Sequence, residues 1–92
     1  MINLRSELHL ALLGYYFKNP DAEHYLRELS RILSFNNAHL SRELKKLTRY
    51  GLFAAHMSGQ QKFFRINKNH PLFDEFRLIT IRTIEENKKI SH

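Results

Sequence analysis

Side chains that can bind anions are concentrated between residues 36 and 65 of the chain. This segment holds six basic residues and one acidic residue, so it carries +5 of a formal net charge of +6. The basic residues are Arg42, Lys45, Lys46, Arg49, Lys62 and Arg65. Guanidinium and ammonium groups neutralise phosphates and hydrogen-bond the edges of bases. A local excess of these groups therefore indicates where a polyanion would bind.

Most of these basic residues belong to one predicted helix, Asn37–Tyr50. Leu40, Leu44 and Leu47 recur at helical spacing and predict its buried stripe. At roughly 100° per residue, the basic side chains fall on the opposite face. A helix that packs on its leucines and presents cations outward is typical of a DNA recognition helix, whose N-terminal residues reach base edges. The candidate DNA contacts on this helix are Asn37, Ala38, His39, Ser41, Arg42, Lys45, Lys46 and Arg49.

Two residues in the first half of this helix suit direct recognition of bases. Arg42 can form a bidentate contact to guanine, and Asn37 can do the same to adenine. Lys45, Lys46 and Arg49 lie further along and are expected to touch the phosphate backbone. A basic helix face is also typical of plain solvated surface, so the neighbouring elements decide between the two interpretations.

A β-hairpin is predicted directly after this helix. Leu52–Met57 and Lys62–Ile66 have the composition of strands, and Ser58–Gln61 has that of a turn. Such a hairpin can place its tip in the minor groove or along the phosphates, although it could also serve only to close the core. The candidate DNA contacts at the tip are Gln60, Gln61 and Lys62.

Three further helices are predicted around this unit, over Leu4–Lys18, over Leu26–Leu33 and from Pro71 to about residue 87. Asn36 is expected to cap the start of the basic helix. The fold is therefore predicted to be mainly α with a small β-hairpin. A helix-turn-helix followed by a hairpin is a winged helix-turn-helix, here with extra N- and C-terminal helices, in one domain spanning residues 1–92.

Five runs of residues match a pattern found in one known family. They are L-R-E-L-S at 26–30, L-S-R-E-L-K-K-L at 40–47, Y-G-L at 50–52, F-F-R-I-N at 63–67 and N-H-P-L at 69–72. The chain thereby resembles ArsR/MarR-type prokaryotic transcription regulators. The last two runs are most similar to the ArsR-like group often encoded beside or fused to minimal nucleotidyltransferase domains. The resemblance implies a homodimeric regulator that binds double-stranded DNA, and the absence of cysteine is compatible with the cytoplasm that we expect for it.

The chain departs from that family in two respects. It has no cysteine, whereas the metal sensors of the family carry cysteine-containing metal sites. It also lacks the Gly-Ser motif and paired aspartates of a nucleotidyltransferase domain. The resemblance therefore implies DNA binding and regulation, but it implies no effector ligand and no cofactor.

The first and last helices each show a second apolar face. Leu10, Leu13 and Phe17 form it on the first helix, and Leu78 and Ile81 form it on the last. Because a domain of this size has one core, these faces either pack on each other within the chain or meet a second copy. The second alternative predicts a two-fold homodimer built from both terminal helices.

Other kinds of chemistry have little support in the residues. The six histidines include no pair three or four positions apart, which is the spacing of local metal sites, so no metal site is predicted. No glycine-rich phosphate loop or facing pair of carboxylates is present, and no enzyme is predicted. No apolar run reaches the roughly 18 residues that a membrane span needs.

The alternative function is a winged helix whose basic face binds an acidic protein.

Overall fold

The computed structural model describes residues 2–90, which fold into four helices and a three-stranded antiparallel sheet. The helices are α1 (Glu7–Lys18), α2 (Leu26–Leu33), α3 (Asn37–Tyr50) and α4 (Phe73–Ile90), and the strands are β1 (His24–Tyr25), β2 (Phe53–Ser58) and β3 (Gln61–Ile66). β3 is the central strand, with β1 on one side and β2 on the other. Residues 1, 91 and 92 of the predicted domain lie outside the described range. The α2–α3 pair followed by the β2–β3 hairpin is the predicted winged helix-turn-helix arrangement.

Local backbone geometry fixes where α3 begins. Ser34, which follows the last residue of α2, adopts the left-handed conformation with φ 60° and ψ 46°. Two residues later the Asn36 side-chain oxygen accepts hydrogen bonds from the backbone N–H groups of Ala38 at 2.8 Å and His39 at 3.1 Å. These bonds satisfy two of the N–H groups that a helix start leaves unpaired. The predicted cap at Asn36 is therefore confirmed.

The end of α3 is tied to the end of the hairpin. Gly51 ends the helix with φ 92°, a left-handed conformation that a residue with a Cβ adopts at a cost. The Asn67 side-chain amide donates to the Gly51 carbonyl at 2.9 Å, and its backbone N–H donates to the Leu52 carbonyl at 2.7 Å. Asn67 belongs to the F-F-R-I-N run, so part of that motif holds β3 against the end of α3.

The core lies between α1, the inner faces of α2 and α3, and one face of the sheet. Tyr16 is its largest fully buried side chain. The Tyr16 hydroxyl donates to the Phe64 carbonyl at 2.7 Å, and its ring meets Phe53 edge-on with the ring centroids 5.0 Å apart. Burial of this hydroxyl raises the pKa of Tyr16. The core side chains are Leu8, Leu12, Leu13, Tyr16, Phe17, Leu29, Leu40, Leu44, Leu47, Leu52, Phe53, Phe64 and Ile66.

The two terminal helices pack on each other within the chain. Leu13 is 0% exposed and Phe17 is 5% exposed, and the Phe17 ring lies 5.3 Å from that of Phe73. A Cβ on Gly14 would stand 2.7 Å from the Ile84 Cδ1 atom, so the helices meet where one of them has no side chain. The prediction that Leu13 and Phe17 face a second copy is therefore wrong, because α4 and the core already cover them.

The inward face of α4 differs from the predicted one. Helical spacing predicts that Ile79 shares the main apolar face of this helix with Phe73 and Phe76, but Ile79 is 48% exposed and Thr80 is fully buried instead. Leu78 is 54% exposed, and Leu10 and Ile81 are half-buried. These last three residues remain available to a second copy. The helix also begins at Phe73 rather than at Pro71, which lies in the preceding turn.

Candidate nucleic-acid interface

The candidate contacts on α3 form an exposed face opposite a fully buried leucine stripe. Seven of the eight predicted residues on this helix are exposed, and Ser41 is half-buried. Beneath them Leu40, Leu44 and Leu47 are 0% exposed. Because the leucines are packed against the core, the helix cannot rotate without exposing them. The fold therefore fixes which side of α3 meets the solvent.

A cationic groove separates α3 from β3. One part of it has a volume of about 400 Å³, and an adjoining part of about 330 Å³ shares Lys45, Lys62 and Phe64 in its walls. Arg27 and Arg49 supply two more cations, so four basic residues line the groove, and none of its lining residues is acidic. The remaining lining residues are Tyr25, Leu26, Ser41, Thr48 and Gln61. A chain of phosphates fits such a groove by charge.

The hairpin contributes one wall of this groove and a solvent-exposed tip. Gln60 and Gln61 are exposed at the tip. The Lys62 ammonium lies 5.6 Å from the centre of the Phe64 ring, which steadies the side chain over the groove through a cation–π contact. Residues 62 and 64 share one face of the strand because side chains alternate along it. Lys62 therefore lines the same groove as Lys45 and Arg49.

Strand alternation places Arg65 elsewhere. It points to the opposite face of the sheet and lines a separate depression of about 290 Å³ together with Asp21 and Glu23. The basic segment identified from the sequence is thus split by the fold. Lys45, Arg49 and Lys62 are brought together with Ser41 and Gln61, whereas Asn37, Ala38, His39, Arg42, Lys46 and Gln60 lie outside the groove lining.

The only acidic residue of the basic segment has a structural role that sequence reasoning missed. The Glu43 carboxylate is 13% exposed and accepts from the buried His9 Nε2 at 2.8 Å. Its second oxygen lies 3.3 Å from the Lys46 ammonium and 3.8 Å from the Arg42 Nε. Burial raises the pKa of the Glu43 carboxyl, but hydrogen bonds from His9 and Lys46 outweigh burial and lower it overall. The sequence did offer one signal of this role, because Glu43 is the one acidic residue among six basic residues in the segment.

Three of the other histidines in the described residues have structural partners. His24 bridges the Glu28 carboxylate at 2.8 Å and the Tyr15 hydroxyl at 2.6 Å. His56 stacks on Phe63 and lies 3.3 Å from a carboxylate oxygen. His70 accepts from a backbone N–H in the turn before α4. His39 alone has no contact of this kind among residues 2–90, and within that range no three metal-binding side chains are gathered together.

No helix within residues 2–90 is long and apolar enough to cross a membrane. No protein-family model matches the chain, and no curated protein matches its sequence. The structure is similar to the crystal structure of the AntR antimony-specific transcriptional repressor, with a TM-score of 0.70 and 19% sequence identity. The match covers 94% of this chain and 74% of the AntR chain. This likeness confirms the predicted winged helix-turn-helix fold.

Proposed function

We propose that this protein is a sequence-specific regulator of transcription that binds double-stranded DNA, with α3 in the major groove and the hairpin on the flanking backbone or minor groove. One observation carries the proposal: four basic residues from three elements line a groove with no acidic residue in its walls. The position of the groove also supports DNA binding, because the groove lies between the recognition helix and the wing of a winged helix. The structural similarity to AntR, a transcriptional repressor, supports regulation as the purpose of binding.

The exposed side chains divide into two roles. Lys45, Arg49 and Lys62 line the groove, so they contact phosphates and set the affinity for any duplex. Arg42 is 62% exposed nearer the start of α3, where a guanidinium reaches base edges. Asn37, in the first turn, adds a second group that can recognise a base. The first set supplies affinity, and the second supplies the preference for sequence.

A two-fold dimer completes the proposal. Leu78 is 54% exposed on α4, and the half-buried Leu10 and Ile81 are the other apolar residues that we assign to the interface. A dimer built on the terminal helices would present two copies of α3 about one helical turn of DNA apart, roughly 34 Å. The preferred site would then be pseudo-palindromic.

We further place the chain in the nucleotidyltransferase-associated group, on the strength of the F-F-R-I-N and N-H-P-L runs.

The salt dependence of binding tests this function. Fluorescence anisotropy with a labelled duplex should give an affinity that falls steeply with salt, because each neutralised phosphate releases counterions. Lys45→Ala and Arg49→Ala should each weaken binding to every duplex and flatten the salt slope by about one unit. Arg42→Ala should cost roughly 1–3 kcal/mol on a preferred duplex and relax the choice of base there.

The matched control is Lys18→Ala, which removes the same charge from the exposed end of α1. It should leave the salt slope unchanged. Binding that is independent of salt, or a folded triple variant of Arg42, Lys45 and Arg49 to alanine that binds as well as the unmodified protein, would contradict the proposal. Tighter binding to an acidic polypeptide than to duplex DNA would favour the protein-binding alternative.

A further inference from the structure

Two hydrogen bonds through the buried His9 connect the N-terminal segment with α3. The Asn3 backbone N–H donates to His9 Nδ1 at 2.8 Å, and His9 Nε2 lies 2.8 Å from the Glu43 carboxylate. Because Nδ1 accepts the Asn3 hydrogen, the ring proton is on Nε2, which donates it to Glu43. His9 is 3% exposed. These hydrogen bonds therefore run through the protein interior and end at the recognition helix.

Glu43 relays this anchor to two cations of the proposed DNA-binding face. One carboxylate oxygen takes the His9 hydrogen bond, which leaves the other oxygen for a hydrogen bond from Lys46 at 3.3 Å and an ion pair with Arg42 at 3.8 Å. Both cations are half exposed or more, at 50% and 62%. Long exposed side chains lose rotamer freedom when they bind. Because the buried His9 holds the Glu43 carboxylate in place, that carboxylate limits the rotamer freedom of both cations before DNA binds.

We propose that His9 and Glu43 are positioning residues that restrain Arg42 and Lys46 and thereby set how well the protein distinguishes one DNA sequence from another. This inference rests on the proposed function and extends it to two residues outside the proposed DNA contacts. A free Arg42 would contact many bases and phosphates with similar energy. An anchored Arg42 offers its guanidinium in fewer orientations, so fewer base pairs satisfy it.

Two substitutions of Glu43 separate its charge from its anchor. Glu43→Gln keeps an oxygen that can accept the His9 hydrogen bond but removes the charge that holds Arg42 and Lys46. Glu43→Asp keeps the charge but withdraws the carboxylate by one methylene, out of reach of His9. If both charge and anchor are needed, both variants should lose discrimination. If charge alone acts, only the glutamine variant should lose it.

The probes are a duplex enriched from a random library with the unmodified protein and a scrambled duplex of the same composition. We expect the ratio of the two affinities to fall about tenfold in each variant, as the partial loss of one bidentate contact would cause. Much of this loss should come from tighter binding to the scrambled duplex by Glu43→Gln. The control Glu7→Gln, an exposed acid in the first turn of α1, should leave the ratio within about twofold because it holds no recognition-helix cation.

A conservative change at the other end of the pair tests the anchor itself. His9→Gln places an amide N–H near the position of Nε2 and should keep the ratio within about threefold of the unmodified value. Circular dichroism and thermal unfolding establish that each variant is folded before it is compared. Discrimination by Glu43→Asp equal to that of the unmodified protein would overturn this inference and leave the proposed function intact. Failure of the unmodified protein to bind either duplex would overturn both.

Discussion

Single side chains in this protein join segments that are far apart in sequence. The Tyr16 hydroxyl reaches the Phe64 carbonyl across 48 positions, and His9 reaches Glu43 across 34. The Asn67 amide spans 16 positions to the Gly51 carbonyl. A buried polar group left without a partner costs about 1–3 kcal/mol. These bonds therefore select one arrangement of helices and sheet over others that would bury the same apolar surface.

Tyr16 provides a test of that argument with its own pH dependence. Tyr16→Phe keeps the ring but removes the hydrogen bond to β3, and we expect it to lower the free energy of unfolding by about 1–2 kcal/mol at neutral pH. Burial, followed by the neighbouring Tyr15 and two carboxylates, raises the pKa of Tyr16 above its usual value of 10.0. The folded state thus resists ionisation, and the stability from this group is complete below the unfolded pKa and lost as pH rises above it.

Urea unfolding at about pH 9 and about pH 11 measures this difference, on either side of the ordinary tyrosine pKa. The unmodified protein should lose more stability between the two pH values than Tyr16→Phe does. Tyr25→Phe is the matched control, because it removes a phenol hydroxyl from the half-buried residue of β1 and should keep the full alkaline loss. Parallel losses in the unmodified protein and in Tyr16→Phe would contradict the assignment.

At the scale of elements, the bounds of α2 and α3 were predictable from the sequence, and for α3 a cap and a periodic stripe agree on the start. The observed bounds of α2 and α3 match the predicted ones, and Asn36 and the α3 leucines lie where the spacing placed them. Periodicity states which positions share a face, but it does not state which neighbour that face meets. For this reason Leu13 and Phe17 were assigned to a dimer surface although α4 and the core cover them.

The candidate site was predictable in part, for a related reason. The exposed face of α3 follows from its own spacing, because a helix that buries three leucines must expose the opposite side. Alternation along β3 already separates Lys62 from Arg65, but the groove itself could not be foreseen, since it needs the packing of β3 against α3. The pairing of His9 with Glu43 likewise depends on tertiary packing between α1 and α3, which no local pattern encodes.

The contact between α1 and α4 yields a prediction about Gly14. In the unmodified protein, Gly14→Ala must push the Ile84 side chain aside, since the new Cβ would stand 2.7 Å from its Cδ1 atom. That strain opposes the gain of about 1 kcal/mol that alanine brings over glycine in a helix. In an Ile84→Ala background the obstacle is gone, so Gly14→Ala should stabilise by about that amount.

A double-mutant cycle by thermal or urea unfolding measures the coupling between these two positions. The expected sign is a more favourable effect of Gly14→Ala in the truncated background. The same effect of Gly14→Ala in both backgrounds would mean that α1 and α4 do not meet at this point.

On the scale of the whole molecule, the exposed apolar residues of α4 lie apart from the cationic groove. The apolar exposure of α4 includes Leu78 and Ile79, and Ile79 also lines a small depression of about 170 Å³ with Ile2 and Leu4. The cationic groove lies between α3 and β3. This separation would let one surface bind a second copy while the other binds DNA.

Assembly can therefore be disrupted without touching the groove. Leu78→Glu places a charge on a residue that is 54% exposed, so the chain should fold and remain monomeric at tens of micromolar concentration. Ile32→Glu, a change of the same kind at the 43% exposed position on α2, should leave the oligomeric state unchanged. Sedimentation velocity compares the three proteins. A monomeric unmodified protein that binds one half-site as tightly as a palindrome would contradict the dimer.

The central claim, that α3 and the wing bind duplex DNA, is tested most directly by mapping the contact surface residue by residue. A nitrogen-15-labelled sample titrated with a duplex of about 20 base pairs reports a chemical shift for each backbone amide, and this length spans two half-sites one helical turn apart. The account predicts that the largest changes fall within residues 37–49 of α3 and residues 58–62 of the wing, and that they reverse as salt is added. Changes confined to the outer face of the sheet around Arg65, or no change at all, would contradict it.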